Sequence, residues 1–161
     1  ALFTGATFMF FLHDILEEKT SKVLQIISSC LCFCAHMALT VALITKSTQL
    51  FGDGLLSSET RFAILAGTGI ICILTEIKNS KLPQFISSAY MLINAAIFGV
   101  SLQNSGDAKM QAASCAVIMG ALSLAVSGAL TAFDTYNKKS LLRINLYYFG
   151  IMFISCSVAV L

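Results

Sequence analysis

Charge is what this sequence has least of. Its 161 residues are 57% hydrophobic and only 11% charged, whereas soluble domains carry about 25% charge. The polar coat of a water-soluble globule is therefore missing, and the few charges are segregated. Val23 to Thr45, Leu82 to Gly106 and Met110 to Phe133 carry none. Each run meets the roughly 20 residues that a helix needs to cross about 30 Å of hydrocarbon. Equally absent are a basic stripe, a run of five like charges and basic residues interleaved with aromatics. That removes nucleic acid as a partner, and a net charge of +2 points to no other. With neither a low-complexity stretch nor a linker nor a hydrophilic region, the expectation is one transmembrane helical domain over 1–161. The chain also lacks any Cys-x-x-Cys pair. Cys30, Cys32, Cys34, Cys72, Cys115 and Cys156 all sit inside apolar runs, as free buried thiols that behave like small hydrophobes.

What is present is a succession of apolar runs arranged around one polar knot, Glu76-Ile77-Lys78-Asn79-Ser80-Lys81, with Phe62 to Thr75 before it and Leu82 to Leu102 after it. The pattern predicts an all-α integral membrane protein, a polytopic bundle of five to six transmembrane helices with short loops. Ala1 to Leu12 is short for a span: it reads as a truncated crossing or as an interfacial helix with His13, Asp14, Glu17 and Glu18 in water. Val23 to Thr45 is the clearest span, and Lys46 to Arg61 is expected as a loop with turns at Phe51-Gly52-Asp53-Gly54. Ser57-Ser58-Glu59-Thr60 has the chemistry of a helix start, with Arg61 snorkelling outward from that helix. Pro83 suits the first turn of the next helix. Met110 to Phe133 is a further span, Asp134 to Arg143 a polar connection and Ile144 to Leu161 the last span. The start at Ala1 and the stop at Leu161 within apolar runs lead to the expectation of a removed leader or of a longer parent chain.

Loop charges alternate. Lys19, Lys22, Lys78, Lys81, Lys138, Lys139 and Arg143 follow the first, third and fifth segments, while Lys46, Arg61 and Lys109 follow the second and fourth. The positive-inside rule then puts the first set on the cytoplasmic, stromal or matrix side and both termini opposite. Small residues recur every fourth position along the fifth segment: Ala112-Ala116-Gly120, Ala121-Ala125-Ala129 and Ser123-Ser127-Thr131. Such stripes let helices approach closely in lipid, so this helix is expected at the centre of the bundle. Gly67-Thr68-Gly69 lacks the lysine of a phosphate loop and reads as a close-packing or kink site.

Three groups of residues are candidates for chemistry. His36 lies near mid-span with Cys32 one turn before it, and an intramembrane histidine suits a metal, haem iron or chlorophyll magnesium. The alternative is a histidine hydrogen-bonded to a neighbouring helix, and no second His-Cys pair completes a zinc site. Asn94, with His36 and Ser88, forms a candidate polar transport path, although interhelical hydrogen bonding is the ordinary use of such residues. Finally, Glu76-Ile77-Lys78-Asn79-Ser80-Lys81-Leu82 resembles the start of the pigment-binding helices of chlorophyll a/b-type light-harvesting proteins. In that family the glutamate and asparagine ligate chlorophyll magnesium and the glutamate pairs with an arginine. The resemblance implies Glu76 and Asn79 as ligands and Lys81 at the arginine position. It covers seven residues, with lysine for arginine, Pro83 where those helices run on, and no second copy, so no family is assigned on it.

No acid, base and nucleophile converge in any recognisable pattern, so an enzyme is not expected. The expected function is a non-catalytic accessory subunit of a larger membrane complex, in contact with the lipid bilayer and with other membrane subunits. An organellar energy-transducing complex, photosystem or respiratory, in a thylakoid or mitochondrial inner membrane fits best, with chlorophyll or haem contacted through His36. The alternative is a small-solute, ion or lipid transporter.

Overall fold

The computed structural model describes residues 2–17, 21–52, 56–76, 82–133 and 141–160. They form six helices: α1 (Leu2–Glu17), α2 (Lys22–Phe51), α3 (Ser58–Glu76), α4 (Leu82–Gln103), α5 (Ala108–Phe133) and α6 (Leu141–Val160). No strand occurs among the described residues. Three helical stretches are long and apolar enough to cross a membrane: Val23–Phe51, Leu82–Gln103 and Ala108–Ala132. By the same measures Leu2–Leu16 and Leu141–Ser157 are shorter apolar helices. α1 has 16 residues, about 24 Å at the helical rise, and so stops short of a hydrocarbon core.

The end of α2 differs from the expectation. α2 does not stop at Thr45 but continues through Lys46 to Phe51. Nothing from Lys46 to Phe51 breaks a helix, and a lysine stem packs on an apolar face while its ammonium reaches outward. The helix ends where Gly52 takes φ 68, with its N–H on the Thr48 carbonyl at 2.9 Å, a backbone turn that favours glycine. The start of α3 follows its sequence: the Thr60 N–H donates to Ser57 Oγ at 3.3 Å. Pro83 sits second in α4, where its missing N–H costs nothing.

α5 packs between α4 and α6, α4 also carries α2 and α3, and α1 lies along α2. Adjacent helices approach where side chains are smallest. A Cβ added at Gly120 would stand 2.9 Å from the Gly150 carbonyl oxygen and 3.0 Å from the Ile154 nitrogen, so α5 and α6 meet almost backbone to backbone. On the other face of α5, a Cβ at Gly128 would stand 2.6 Å from Ser88 Oγ. Ser114 Oγ donates to the Gly99 carbonyl at 2.7 Å and Ser127 Oγ to the Arg143 carbonyl at 3.1 Å, which ties α5 to both neighbours. Around these crossings Met91, Ala95, Phe98, Val117, Ala121, Leu124 and Ile154 form the core, joined from the α1–α2 side by Phe10, Ala35 and Leu39. His36 meets Ser87, and further along both helices Phe51 meets Phe98, so α2 and α4 run in the same direction.

Large apolar side chains are exposed along the described helices. Ile64, Ile70, Ile71, Ile73 and Leu74 of α3 are exposed, as are Phe8, Phe11 and Ile15 of α1.

Candidate functional site

A few polar side chains of α2, α3 and α4, His36, Arg61 and Asn94 among them, are buried and lie in two layers. In the first, His36 is 3% exposed. Its Nδ1 faces Ser87 Oγ at 3.4 Å and Cys32 Sγ at 3.8 Å, and its ring stands edge-on to Phe10 with centroids 5.1 Å apart. The i, i+4 spacing that puts Cys32 and His36 on one face brings them together as the sequence suggests, but weakly at that distance. Ser87 also donates to its own helix at the Gln84 carbonyl, 3.1 Å away. Nε2 of His36 has no hydrogen-bond partner among the described residues. One unpartnered imidazole nitrogen is what an axial ligand offers to haem iron or chlorophyll magnesium. Among the described residues no group of three or more His, Cys, Asp and Glu side chains gathers to hold a metal ion.

The second layer lies further along α2, at the start of α3. Here the sequence misleads: Arg61 does not snorkel outward but is 1% exposed. Its Nη2 donates to Thr48 Oγ1 at 3.2 Å, and Tyr90 of α4 donates its hydroxyl to the Arg61 carbonyl at 2.5 Å. Nε and Nη1 have no partner among the described residues. Arg61 follows the capped start of α3 by a single turn, and the face of that turn points at α2 and α4. Asn94, one turn beyond Tyr90 on the same face of α4, is 1% exposed. It donates through Nδ2 to the Tyr90 carbonyl at 3.0 Å, while its Oδ1 has no partner among the described residues.

The candidate path of Asn94, His36 and Ser88 is thus divided. Asn94 and His36 both face the α2–α4 contact, but Ser88 is turned toward Gly128 of α5 and donates to Phe85 at 3.0 Å. Its neighbour Ser87 is the serine that reaches His36, because one residue rotates a helix by about 100°. Asn79 and Lys81 lie outside the described residues, as does the side chain of Glu76, which closes α3.

A third polar contact joins α1, α2 and α6. His13 is 6% exposed, not in water as expected. Its Nδ1 lies 2.7 Å from Ser28 Oγ, and Ser28 Oγ donates back to the His13 carbonyl at 3.0 Å. The next residue, Asp14, accepts from the Tyr148 hydroxyl at 3.0 Å. Only the packing of α1 along α2 places His13 against the first turns of α2. Glu18 lies outside the described residues, as does the side chain of Glu17.

No family model matches this chain, and neither a curated protein nor a solved structure matches it.

Proposed function

We propose that this chain is an integral membrane protein of five to six crossings that serves as a non-catalytic subunit of a larger membrane assembly. The observation that carries the reading is the contrast among the glycines. Gly99, Gly120, Gly128 and Gly150 are filled by neighbouring helices so closely that a methyl group would collide. Among the described residues, Gly67 and Gly69 of α3 have nothing within 4 Å of an added Cβ. Glycine in a helix interior costs about 0.5–1 kcal/mol relative to alanine, and in lipid its use is close helix approach. On α3 that use is unfilled among the described residues. Ala63, Gly67, Ile70 and Leu74 recur at helical spacing along a face that also carries exposed Ile71 and Ile73. A second helix seated on this face, from another subunit, supplies the contact the glycines are built for.

The membrane part of the reading draws on the three long apolar helices and the apolar surface. α3 and α6 join the crossings as members of the bundle, and α1 makes the sixth if it tilts or ends at the headgroups. An organellar energy-transducing membrane, thylakoid or mitochondrial inner, is the compartment that suits a subunit of this kind. Pigment or haem contact at His36 belongs to the same reading. The test is Gly67→Leu. In mild-detergent extracts of the native membrane, the wild-type chain is expected in a particle several times its own 17.2 kDa plus micelle. The variant is expected to leave that particle with its helix content unchanged. A wild-type chain that elutes small and colourless defeats the subunit reading.

A carrier of small solutes is the second reading, favoured by the unpartnered Asn94 Oδ1 and His36 Nε2 between α2 and α4. It predicts uptake into vesicles holding the purified chain, lost on Asn94→Leu.

A further inference from the structure

Arg61 carries a full positive charge into the bundle, and among the described residues its side chain is met by one neutral group, the Thr48 hydroxyl. A buried cation without a counter-charge is far more costly than a lost hydrogen bond, so buried charges are found paired. The acid nearest in sequence, Glu59, is exposed and lies two residues away, on a different face of α3. The donor count adds geometry to this demand. A guanidinium has five N–H groups arranged as two bidentate edges that share Nη2. Thr48 occupies one hydrogen of Nη2, so whichever edge it uses, the other keeps both of its hydrogens. One complete fork, the shape that matches two oxygens of a phosphate, is left unfilled.

Depth identifies what can fill it. α2 has 30 residues, about 45 Å at the helical rise, which is the thickness of a bilayer with its headgroups. Thr48 is one turn inside the end of α2, and Arg61 one turn inside the start of α3. Both therefore stand at the level of lipid phosphates. The adjoining Leu50, Leu56, Phe62 and Ile64 are exposed and apolar, a surface for acyl chains just beside the charge.

We propose that Arg61, at the α2–α3 end of the bundle, binds the phosphate group of a phospholipid headgroup through its free guanidinium edge. The lipid enters where the ligand-free chain closes over the guanidinium, and its phosphate supplies the counter-charge. The proposal rests on the membrane reading above but not on the subunit reading, whose test runs through Gly67.

The test is native mass spectrometry of the full chain, delipidated in detergent and titrated with phosphatidylglycerol, with diacylglycerol and with inorganic phosphate. Wild type is expected to retain one phosphatidylglycerol at least about 10-fold better than diacylglycerol, which has the same tails and no phosphate. Arg61→Met should lower that retention to the diacylglycerol level. Arg61→Lys, which keeps the charge and loses the fork, should fall between them, and it remains informative if the methionine variant does not fold. Inorganic phosphate that binds alone, with phosphatidylglycerol no better than diacylglycerol, keeps the phosphate site and overturns the lipid as its source. Retention equal in wild type, Arg61→Met and Arg61→Lys overturns the site. So does a lipid-free chain in which Asp53→Asn destabilises as much as Arg61→Met and the double variant is no worse, because the counter-charge then belongs to the chain itself.

Discussion

Gly120→Ala and Gly67→Ala are the same chemical change in two helix interiors, and the structure gives them opposite signs. Each gains about 0.5–1 kcal/mol from the reduced freedom of alanine in the unfolded chain. At Gly67 none of the described residues stands within 4 Å of the new methyl, so in the isolated chain that gain is the expected effect. At Gly120 the methyl meets the Gly150 carbonyl oxygen at 2.9 Å, the Ile154 nitrogen at 3.0 Å and the Ile154 Cγ1 at 2.7 Å. Two of these atoms are backbone and cannot rotate away, so α5 and α6 must separate along their contact. Overpacking of this kind costs about 1–3 kcal/mol, and the upper half applies because a helix rather than a side chain has to move. The balance leaves Gly120→Ala destabilised by about 1–2.5 kcal/mol, with a gap between the two variants of about 2–3 kcal/mol, or roughly 30- to 150-fold in the unfolding equilibrium. The assay is reversible unfolding in mixed micelles as the fraction of denaturing detergent is raised, followed by helical circular dichroism. A Gly120→Ala chain as stable as Gly67→Ala would show that the helices do not cross where the structure has them.

Other perturbations follow from the polar layers. Tyr90→Phe removes the hydroxyl that donates to the Arg61 carbonyl and should cost about 1 kcal/mol; an unchanged thermal midpoint would count against that bond. His36→Leu should abolish any visible haem or pigment bands of the purified chain, while Ser87→Ala keeps them; unchanged bands in the leucine variant remove His36 as the ligand. Asn94→Leu should change stability by less than about 1 kcal/mol, since among the described residues Nδ2 bonds only a carbonyl of its own helix. Loss of solute uptake in that stable variant would favour a carrier, and unchanged uptake or none at all would remove Asn94 from any path.

The apolar runs alone determined that this chain is helical and which stretches reach membrane length. The reason is local: about 1.5 Å of rise per residue and an absence of charge need no neighbours to be counted. The serine start of α3, the place of Pro83 and the small-residue crossings of α5 were legible for the same reason, because caps, proline geometry and methyl-sized gaps act over one or two turns. What the sequence could not carry was the direction in which a polar side chain points. Arg61 beside a loop reads as a snorkelling charge, and only the packing of α3 on α4 turns it inward beneath Tyr90. His13 reads as a wet helix end until α1 lies along α2 and Ser28 closes on it. Ser87 and Ser88 are indistinguishable in the sequence, yet one faces His36 and its neighbour faces Gly128. Gly67 and Gly120 both promise close approach, and only the arrangement of the six helices decides that one is filled and the other open. Each of these depends on the rotation of one helix against another, which is fixed by side chains far apart in the chain and leaves no periodic mark within it.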